Sequence, residues 1–235
     1  MKKIALITGA TSGIGEACAR KFAEGGYDLI LTARREEKLA EIKAELEVRA
    51  TEVKTLAFDV RDTAAAKKAI DSLDEEWKKI DVLINNAGLA LGLDKEYEAK
   101  QEEWDAMIDT NVKGLLTMTR LVVPGMVERN EGNVINIGSV AGDAAYAGGN
   151  VYCATKAAVK ALSDGLRIDV ADTAVRVTNL SRDSWRRTSA MCASMATTSV
   201  PTMYTRASSR SLVPTSPTLP SMLHRLRSTC RLPKC

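Results

Sequence analysis

The stretch IALITGATSGIG, residues 4–15, decides the fold of this chain. Its first five residues are typical of a buried parallel strand, and glycines at 9, 13 and 15 then form a turn ahead of a helical stretch. Glycines let a backbone turn tightly and approach a pyrophosphate, whose charge is favoured at a helix N-terminus. The spacing GxxxGxG alone also fits a glycine-rich turn without a ligand, but the strand–turn–helix context favours a binding turn.

Strand-like and helical segments alternate outward from this turn. Buried strands are predicted at 4–8, 28–32, 53–58, 82–85, 134–137 and 174–180, and helices near 14–25, 36–50, 63–77, 103–128 and 151–171. Alternation of this kind predicts an α/β fold with a doubly wound parallel sheet, helices on both faces and right-handed crossovers.

The end of the second strand bears on the cofactor. An NAD site has an Asp or Glu there for the ribose 2′-hydroxyl, whereas this chain has Thr32-Ala33-Arg34-Arg35. Because a guanidinium pairs well with phosphate, Arg34 and Arg35 favour NADP over NAD. The alternative is that both arginines are solvated residues at the start of a charged helix.

A second motif is Tyr152-Cys-Ala-Thr-Lys156. Side chains four residues apart share one face of a helix. A free phenol titrates near pH 10, and a neighbouring ammonium favours its ionised form. Tyr152 is therefore a candidate to exchange a proton with an alcohol or carbonyl oxygen, although a YxxxK pair by itself is a weak signal.

Taken together, the motifs form a specific pattern. The glycine turn, Asn85-Asn-Ala-Gly88, Asn111, Ser139 and the Tyr152/Lys156 pair follow one another in that order. In this pattern, residues 3–180 resemble the short-chain dehydrogenase/reductase family, which implies a Rossmann-type fold.

The resemblance implies a role for each matching residue. Tyr152 would be the catalytic acid–base, Lys156 would hold the nicotinamide ribose and favour the phenolate, and Ser139 would bind the reacting oxygen. Asn111 would hold a water of the proton relay. The pyrophosphate would be lined by Gly9, Ser12, Gly13, Ile14 and Gly15. The adenine would lie at Asp59 and Val60, and the adenosine ribose beside Asn86, Ala87 and Gly88.

Further segments narrow the likeness to one branch of the family. Residues 89–92, 107–111, 124–130 and 146–152 are similar to the NADP-dependent 3-hydroxy acid dehydrogenases. That branch acts on serine, allo-threonine and related acids, so a small-molecule substrate is implied. The family's oligomer contacts draw on its last helices and strand, which puts a homo-oligomer in doubt here.

Composition excludes several other classes. No apolar run approaches the length of a membrane span and no signal peptide is evident, so a cytoplasmic protein is expected. The five cysteines fit neither a disulfide framework nor a zinc site. A single histidine, His224, rules out a Ser-His-Asp triad in the main body, and no metal site is predicted.

The charge divides the chain into two parts. Residues 1–180 carry a net charge of −5 and all 15 glycines, whereas residues 181–235 carry +8 and are rich in Ser, Thr and Arg. We therefore expect a nucleotide-binding catalytic domain at 1–180 and a poorly ordered tail at 181–235.

The family has a Pro-Gly turn and a substrate lid where this chain has SRDSWRRT, residues 181–188. Codons exist for this run that read Pro-Gly-Leu-Val-Glu-Thr-Asn in an adjacent frame, so a frameshift is our hypothesis for the tail. A nucleic-acid or membrane-binding arm is the weaker alternative, and neither partner is expected because the arginines are scattered. Two functions stay open: an active NADP-dependent 3-hydroxy acid dehydrogenase, and an inactive or unstable remnant of one.

Overall fold

A computed structural model describes residues 2–48 and 51–181 of the chain. Within them the backbone forms six strands and six α-helices that alternate along the sequence. The strands are β1 (Ile4–Thr8), β2 (Asp28–Ala33), β3 (Val53–Ala57), β4 (Val82–Asn85), β5 (Gly132–Ile137) and β6 (Val175–Leu180). The helices are α1 (Gly13–Glu24), α2 (Glu36–Glu47), α3 (Thr63–Asp71), α4 (Gln101–Ile108), α5 (Leu115–Glu128) and α6 (Asn150–Asp169).

The six strands form one parallel sheet in the order β3-β2-β1-β4-β5-β6. The chain runs outward from β1 through β2 to β3, then returns to the other side of β1 for β4. The strand order therefore reverses between β1 and β4, and in such sheets ligands bind at the carboxyl ends of the strands at this reversal. The predicted doubly wound α/β fold is confirmed.

The core lies in two layers, one on each face of the sheet. On one face Phe22 of α1 and Leu39 of α2 pack with strand residues such as Leu31. On the other face Met118 of α5 packs with residues that include Leu6. The alternation of strand side chains between faces explains why adjacent residues of β1 enter opposite layers.

Some predicted boundaries differ from the structure. The helix predicted at 63–77 ends at Asp71, where the hydroxyl of Ser72 donates a hydrogen bond to the carbonyl of Ala69. The helix predicted at 103–128 is interrupted by a π-helical turn, Asp109–Gly114. Strand β3 is only partly buried because it lies at one edge of the sheet.

Two further observations concern the predicted domains and membrane contact. In the described part of the chain, no helix is long and apolar enough to cross a membrane. Of the predicted tail only Ser181 is described, so the frameshift hypothesis and the expected loss of order at 182–235 lie outside the described residues.

Candidate active site

A cleft of about 920 Å³ opens at the reversal point of the sheet. Its walls come from the ends of strands β1 to β5 and from the start of α6. Of the residues predicted for the site, the following line it: Gly9, Ser12, Ile14, Arg34, Arg35, Asp59, Val60, Asn86, Ala87, Gly88, Ser139, Tyr152 and Lys156. Gly13, Gly15 and Asn111 are not among the residues that line it.

The glycine turn is shaped by close backbone approach. Gly9 and Gly13 have φ of +65° and +56°, in the left-handed region that favours glycine. A Cβ on Gly15 would collide with the carbonyl oxygen of Gly9, so a larger residue would displace the turn. Gly15 therefore supports the turn from behind rather than lining the cleft.

Thr8 ties the end of β1 to the segment after β4. Its hydroxyl oxygen accepts hydrogen bonds from the backbone N–H of Asn86 at 3.0 Å and of Ala87 at 2.9 Å. The side-chain amide of Asn86 in turn donates to the carbonyls of Thr8 and Gly9. These bonds hold the glycine turn and the Asn-Ala-Gly segment together as two walls of one cleft.

The two arginines at the end of β2 differ in their contacts. Arg35 is anchored: its guanidinium donates to the hydroxyl of Thr11 at 2.9 Å and to the carbonyl of Thr11 at 2.9 Å. Arg34 is 65% exposed, with a nitrogen 3.9 Å from Asp59 Oδ2. Both arginines line the cleft.

At the opposite end of the cleft, helix α6 presents Tyr152 and Lys156 on one face. The ammonium of Lys156 lies 5.8 Å from the centre of the Tyr152 ring. Lys156 is only 8% exposed, and this burial lowers its pKa to about 8. Its nitrogen donates to the carbonyl of Ile137 at 2.7 Å, which fixes the side chain beside the end of β5.

Ser139 follows β5 and caps a short 3₁₀ turn, Val140–Gly142. Its hydroxyl oxygen accepts a hydrogen bond from the backbone N–H of Ala141 at 3.1 Å. Because the oxygen acts as acceptor in this bond, the hydroxyl hydrogen stays available for donation to another oxygen. The structure thus brings Ser139 into the same cleft as Tyr152 and Lys156.

Asn111 lies in the π-helical turn and is 2% exposed. Its carboxamide accepts from the N–H of Leu89 and donates to the carbonyl of Leu89 and the hydroxyl of Thr155. Both amide hydrogens and one of the two lone pairs of the amide oxygen are therefore used within the protein.

Sequence reasoning missed four residues that shape the site. Thr8, Thr11 and Thr155 position Asn86, Arg35 and Asn111, and Arg61 donates to Asp59 through its guanidinium at 2.7 Å. Thr11 lies inside the glycine turn, Thr155 lies inside the Tyr152–Lys156 motif and Thr8 directly precedes the turn, and these positions were the available signal. In the described residues no cluster of metal-ligating side chains occurs.

The sheet order and the cleft at its reversal point define a dinucleotide-binding α/β protein. A family model described as short chain dehydrogenase matches residues 3–188. The chain therefore belongs to the short-chain dehydrogenase family of oxidoreductases, as the sequence predicts.

Individual relatives are similar over about three quarters of the chain. An NADP-dependent 3-hydroxy acid dehydrogenase, YdfG, of Salmonella typhi is 55% identical over 177 residues, which are 75% of this chain and 70% of the relative. Sulfoacetaldehyde reductase 2 of Chromohalobacter salexigens is 47% identical over a match that covers 77% of this chain and 71% of the reductase.

Solved structures show the same likeness. A closed form of serine dehydrogenase complexed with NADP+ superposes with a TM-score of 0.72 at 53% sequence identity. The match covers 76% of this chain and 71% of the serine dehydrogenase chain. A serine dehydrogenase of Escherichia coli superposes with a TM-score of 0.71 at 53% identity, over 75% of this chain and 79% of its own.

Proposed function

We propose that this chain is an NADP-dependent oxidoreductase that interconverts a small 3-hydroxy acid, of the serine or allo-threonine kind, and its carbonyl form. The observation that carries the proposal is the placement of Tyr152, Lys156 and Ser139 in one cleft with Arg34 and Arg35. Two relatives that are 53% and 55% identical over about three quarters of this chain are named for serine and for an NADP-dependent 3-hydroxy acid dehydrogenase.

The described residues fit a dinucleotide. The volume of the cleft, about 920 Å³, is at the upper end of small-molecule sites. A Cβ at Gly9 would lie 3.0 Å from the Cα of Ala87, so glycine lets the turn lie directly against the segment after β4. Arg34 and Arg35 place two positive charges at one end, where a 2′-phosphate would be favoured.

Proton transfer would take place at the end of the cleft where Tyr152, Ser139 and Lys156 lie. Tyr152 would exchange a proton with the oxygen of the substrate, while Ser139 would donate a hydrogen bond to that oxygen. The nearby ammonium of Lys156 would favour the phenolate electrostatically. When bound, the nicotinamide supplies or accepts the hydride. The carboxamide of Asn111 would fix Leu89, which lines the cleft.

The test is a turnover assay on the whole chain. Serine or 3-hydroxypropionate would be mixed with NADP, with NAD in parallel, and absorbance followed at the reduced-nicotinamide band. Sulfoacetaldehyde with NADPH would be a third arm, because one relative is named for its reduction. We expect turnover with the 3-hydroxy acids and a preference for NADP. Turnover with NAD alone, or with sulfoacetaldehyde alone, would contradict the proposal.

Replacing the phenol of Tyr152 tests its role, and the same replacement at Tyr97 is the matched control. Tyr152→Phe should abolish turnover while binding of NADP, measured by calorimetry, stays within about twofold, because the lost hydroxyl serves the proton step. Tyr97→Phe removes a hydroxyl from a side chain that is 77% exposed and does not line the cleft, and it should leave turnover unchanged. Equal loss in both variants would contradict the role of Tyr152.

A second candidate is an inactive or unstable remnant of such an enzyme. It is favoured by the change of composition at residue 181 and by matches that leave about a quarter of this chain and three tenths of the relatives uncovered. Under this candidate the chain binds NADP but does not turn over. Coding DNA for residues 181–188 that reads Pro-Gly in an adjacent frame would support the frameshift, and its absence would exclude it.

A further inference from the structure

The carboxylate of Asp59 lies between two arginines at the adenosine end of the cleft. Arg61 engages both of its oxygens: the backbone N–H of Arg61 donates to Oδ1 at 3.0 Å, and Nε and Nη2 donate to Oδ2 at 3.0 and 2.7 Å. The side-chain hydrogen bonding of Arg61 is the largest cause that lowers the pKa of Asp59. Asp59 is therefore a fixed anion at the rim of the cleft.

Arg34 lies near the same carboxylate but does not form a hydrogen bond with it. Its Nη1 is 3.9 Å from Oδ2, beyond hydrogen-bonding distance, and its side chain is 65% exposed. The guanidinium of Arg35, in contrast, is fixed by hydrogen bonds that it donates to the hydroxyl and the carbonyl of Thr11. Of the two arginines that follow β2, Arg34 is the one whose guanidinium makes no hydrogen bond to Asp59 or Thr11.

A carboxylate and a guanidinium pair best when two donors meet two oxygens. Arg61 engages both oxygens in another way: both of its guanidinium donors bond to Oδ2 of Asp59, and its backbone N–H bonds to Oδ1. If the side chain of Arg61 were lost, the backbone N–H of residue 61 would still bond to Oδ1 of Asp59, but Oδ2 would lose both guanidinium donors while it lies 3.9 Å from Nη1 of Arg34. Arg34 would then close that distance and form the pair, and a phosphate would have to displace Asp59 before it could bind Arg34.

We propose that Arg61 determines cofactor specificity: by engaging Asp59 it keeps Arg34 available to a phosphate on the 2′-oxygen of adenosine. The inference rests on the proposed NADP dependence and deepens it. Arg61 lines no part of the cleft in the described structure, so it acts through Asp59 and Arg34 as a positioning residue.

The test uses adenosine 2′,5′-bisphosphate and adenosine 5′-monophosphate as probes, with the dissociation constant of each measured by calorimetry on the full chain. Binding of either probe does not require turnover, so the experiment can be done even if the protein is catalytically inactive. The ratio of the two constants isolates the 2′-phosphate, because contacts to the adenine and to the 5′-phosphate cancel. Wild type should prefer the bisphosphate, and Arg61→Ala should reduce that preference about three- to fivefold, as expected for a partly exposed ion pair.

The double variant Asp59→Asn with Arg61→Ala separates positioning from direct contact. Without a charged carboxylate nothing competes for Arg34, so the preference should return to within about twofold of wild type. If Arg61 contacts the phosphate itself, the double variant stays as weak as Arg61→Ala, and the inference is overturned. Asparagine keeps an acceptor oxygen at position 59, and the side chain of Arg61 is 40% exposed, so both variants are expected to fold.

Lys67→Ala is the matched control for loss of one positive charge. Lys67 lies on α3, is 64% exposed and pairs with Asp71. The variant Lys67→Ala should leave the preference for the bisphosphate unchanged. If it lost as much preference as Arg61→Ala, the effect would come from net charge alone, and the inference would be overturned. A wild type that shows no preference for the bisphosphate would instead refute the proposed NADP dependence, whereas a preference that survives Arg61→Ala refutes only the role of Arg61.

Discussion

The ammonium of Lys156 donates a hydrogen bond to the main-chain carbonyl of Ile137 at 2.7 Å. A carbonyl is a polar but uncharged partner, and burial disfavours the ammonium, which is why the pKa of Lys156 falls to about 8. The fold thus places a lysine that changes charge close to neutral pH against the ring of Tyr152. The charge of Lys156 therefore depends on pH near pH 8.

Stability should rise with pH through the titration of Lys156. Its pKa in the fold, about 8, is below its ordinary value of 10.5, so the unfolded chain binds more protons between these two pH values. The free energy of unfolding therefore increases with pH in this window, by up to about 3 kcal/mol, and below pH 8 the cost of burying the charge is fully present. Urea unfolding of wild type and Lys156→Met from pH 7 to pH 10 checks this.

The expected result is a difference between the two curves that changes with pH, with the methionine variant relatively most stable at pH 7. Parallel curves would contradict the prediction. Lys160→Met is the control, because Lys160 is exposed and its pKa is raised by its hydrogen bond with Asp143. That contribution is fully present below pH 10.5, so its curve should run parallel to wild type from pH 8 to pH 10.

Thr155 should stabilise the site through its hydroxyl rather than its shape. The hydroxyl accepts from Asn111 Nδ2 at 3.0 Å and donates to the carbonyl of Tyr152 at 2.7 Å. Thr155→Val keeps the volume but leaves a buried amide N–H of Asn111 unpaired, which costs about 1–3 kcal/mol. Thr155→Ser keeps both bonds and should lose less. Denaturant midpoints measure both variants, and equal losses would show that only packing matters.

Gly15→Ala should damage dinucleotide binding and stability together. The added Cβ would collide with the carbonyl of Gly9, so the turn must shift, at a cost of about 1–3 kcal/mol. The control is Gly165→Ala in α6, where a Cβ meets nothing within 4 Å. That variant should gain about 0.5–1 kcal/mol from helix propensity. Thermal melts with and without NADP measure both, and a Gly15→Ala protein that binds normally would disprove the close-approach argument.

Thr8→Val should loosen the contact between β1 and the segment after β4. Valine removes the acceptor for the N–H groups of Asn86 and Ala87, and the site is buried, so we expect a loss of about 1–3 kcal/mol. Thr8→Ser keeps the acceptor oxygen and serves as the control. Hydrogen exchange at the amides of Asn86 and Ala87 should accelerate in the valine variant and not in the serine variant. Unchanged exchange in both would contradict the role of the hydroxyl.

Local patterns determined much of this protein before any tertiary information. The strand and helix periods, the glycine turn after β1 and the spacing of Tyr152 and Lys156 depend on near neighbours in the chain, so the sequence specifies the α/β fold and the family. Boundaries such as the early end of α3 and the π-helical turn at Asp109–Gly114 were missed, because they depend on which alternative hydrogen bonds a finished structure offers.

Contacts between distant residues were decided only when the sheet assembled. Thr11 meets Arg35 across 24 residues, and Asn111 meets Thr155 across 44. No local propensity encodes such pairs, since parallel strands separated by crossovers bring their carboxyl ends together whatever the intervening sequence. The chemistry of the site could therefore be anticipated from its motifs, while the partners that hold Arg35 and Asn111 in place emerge from topology.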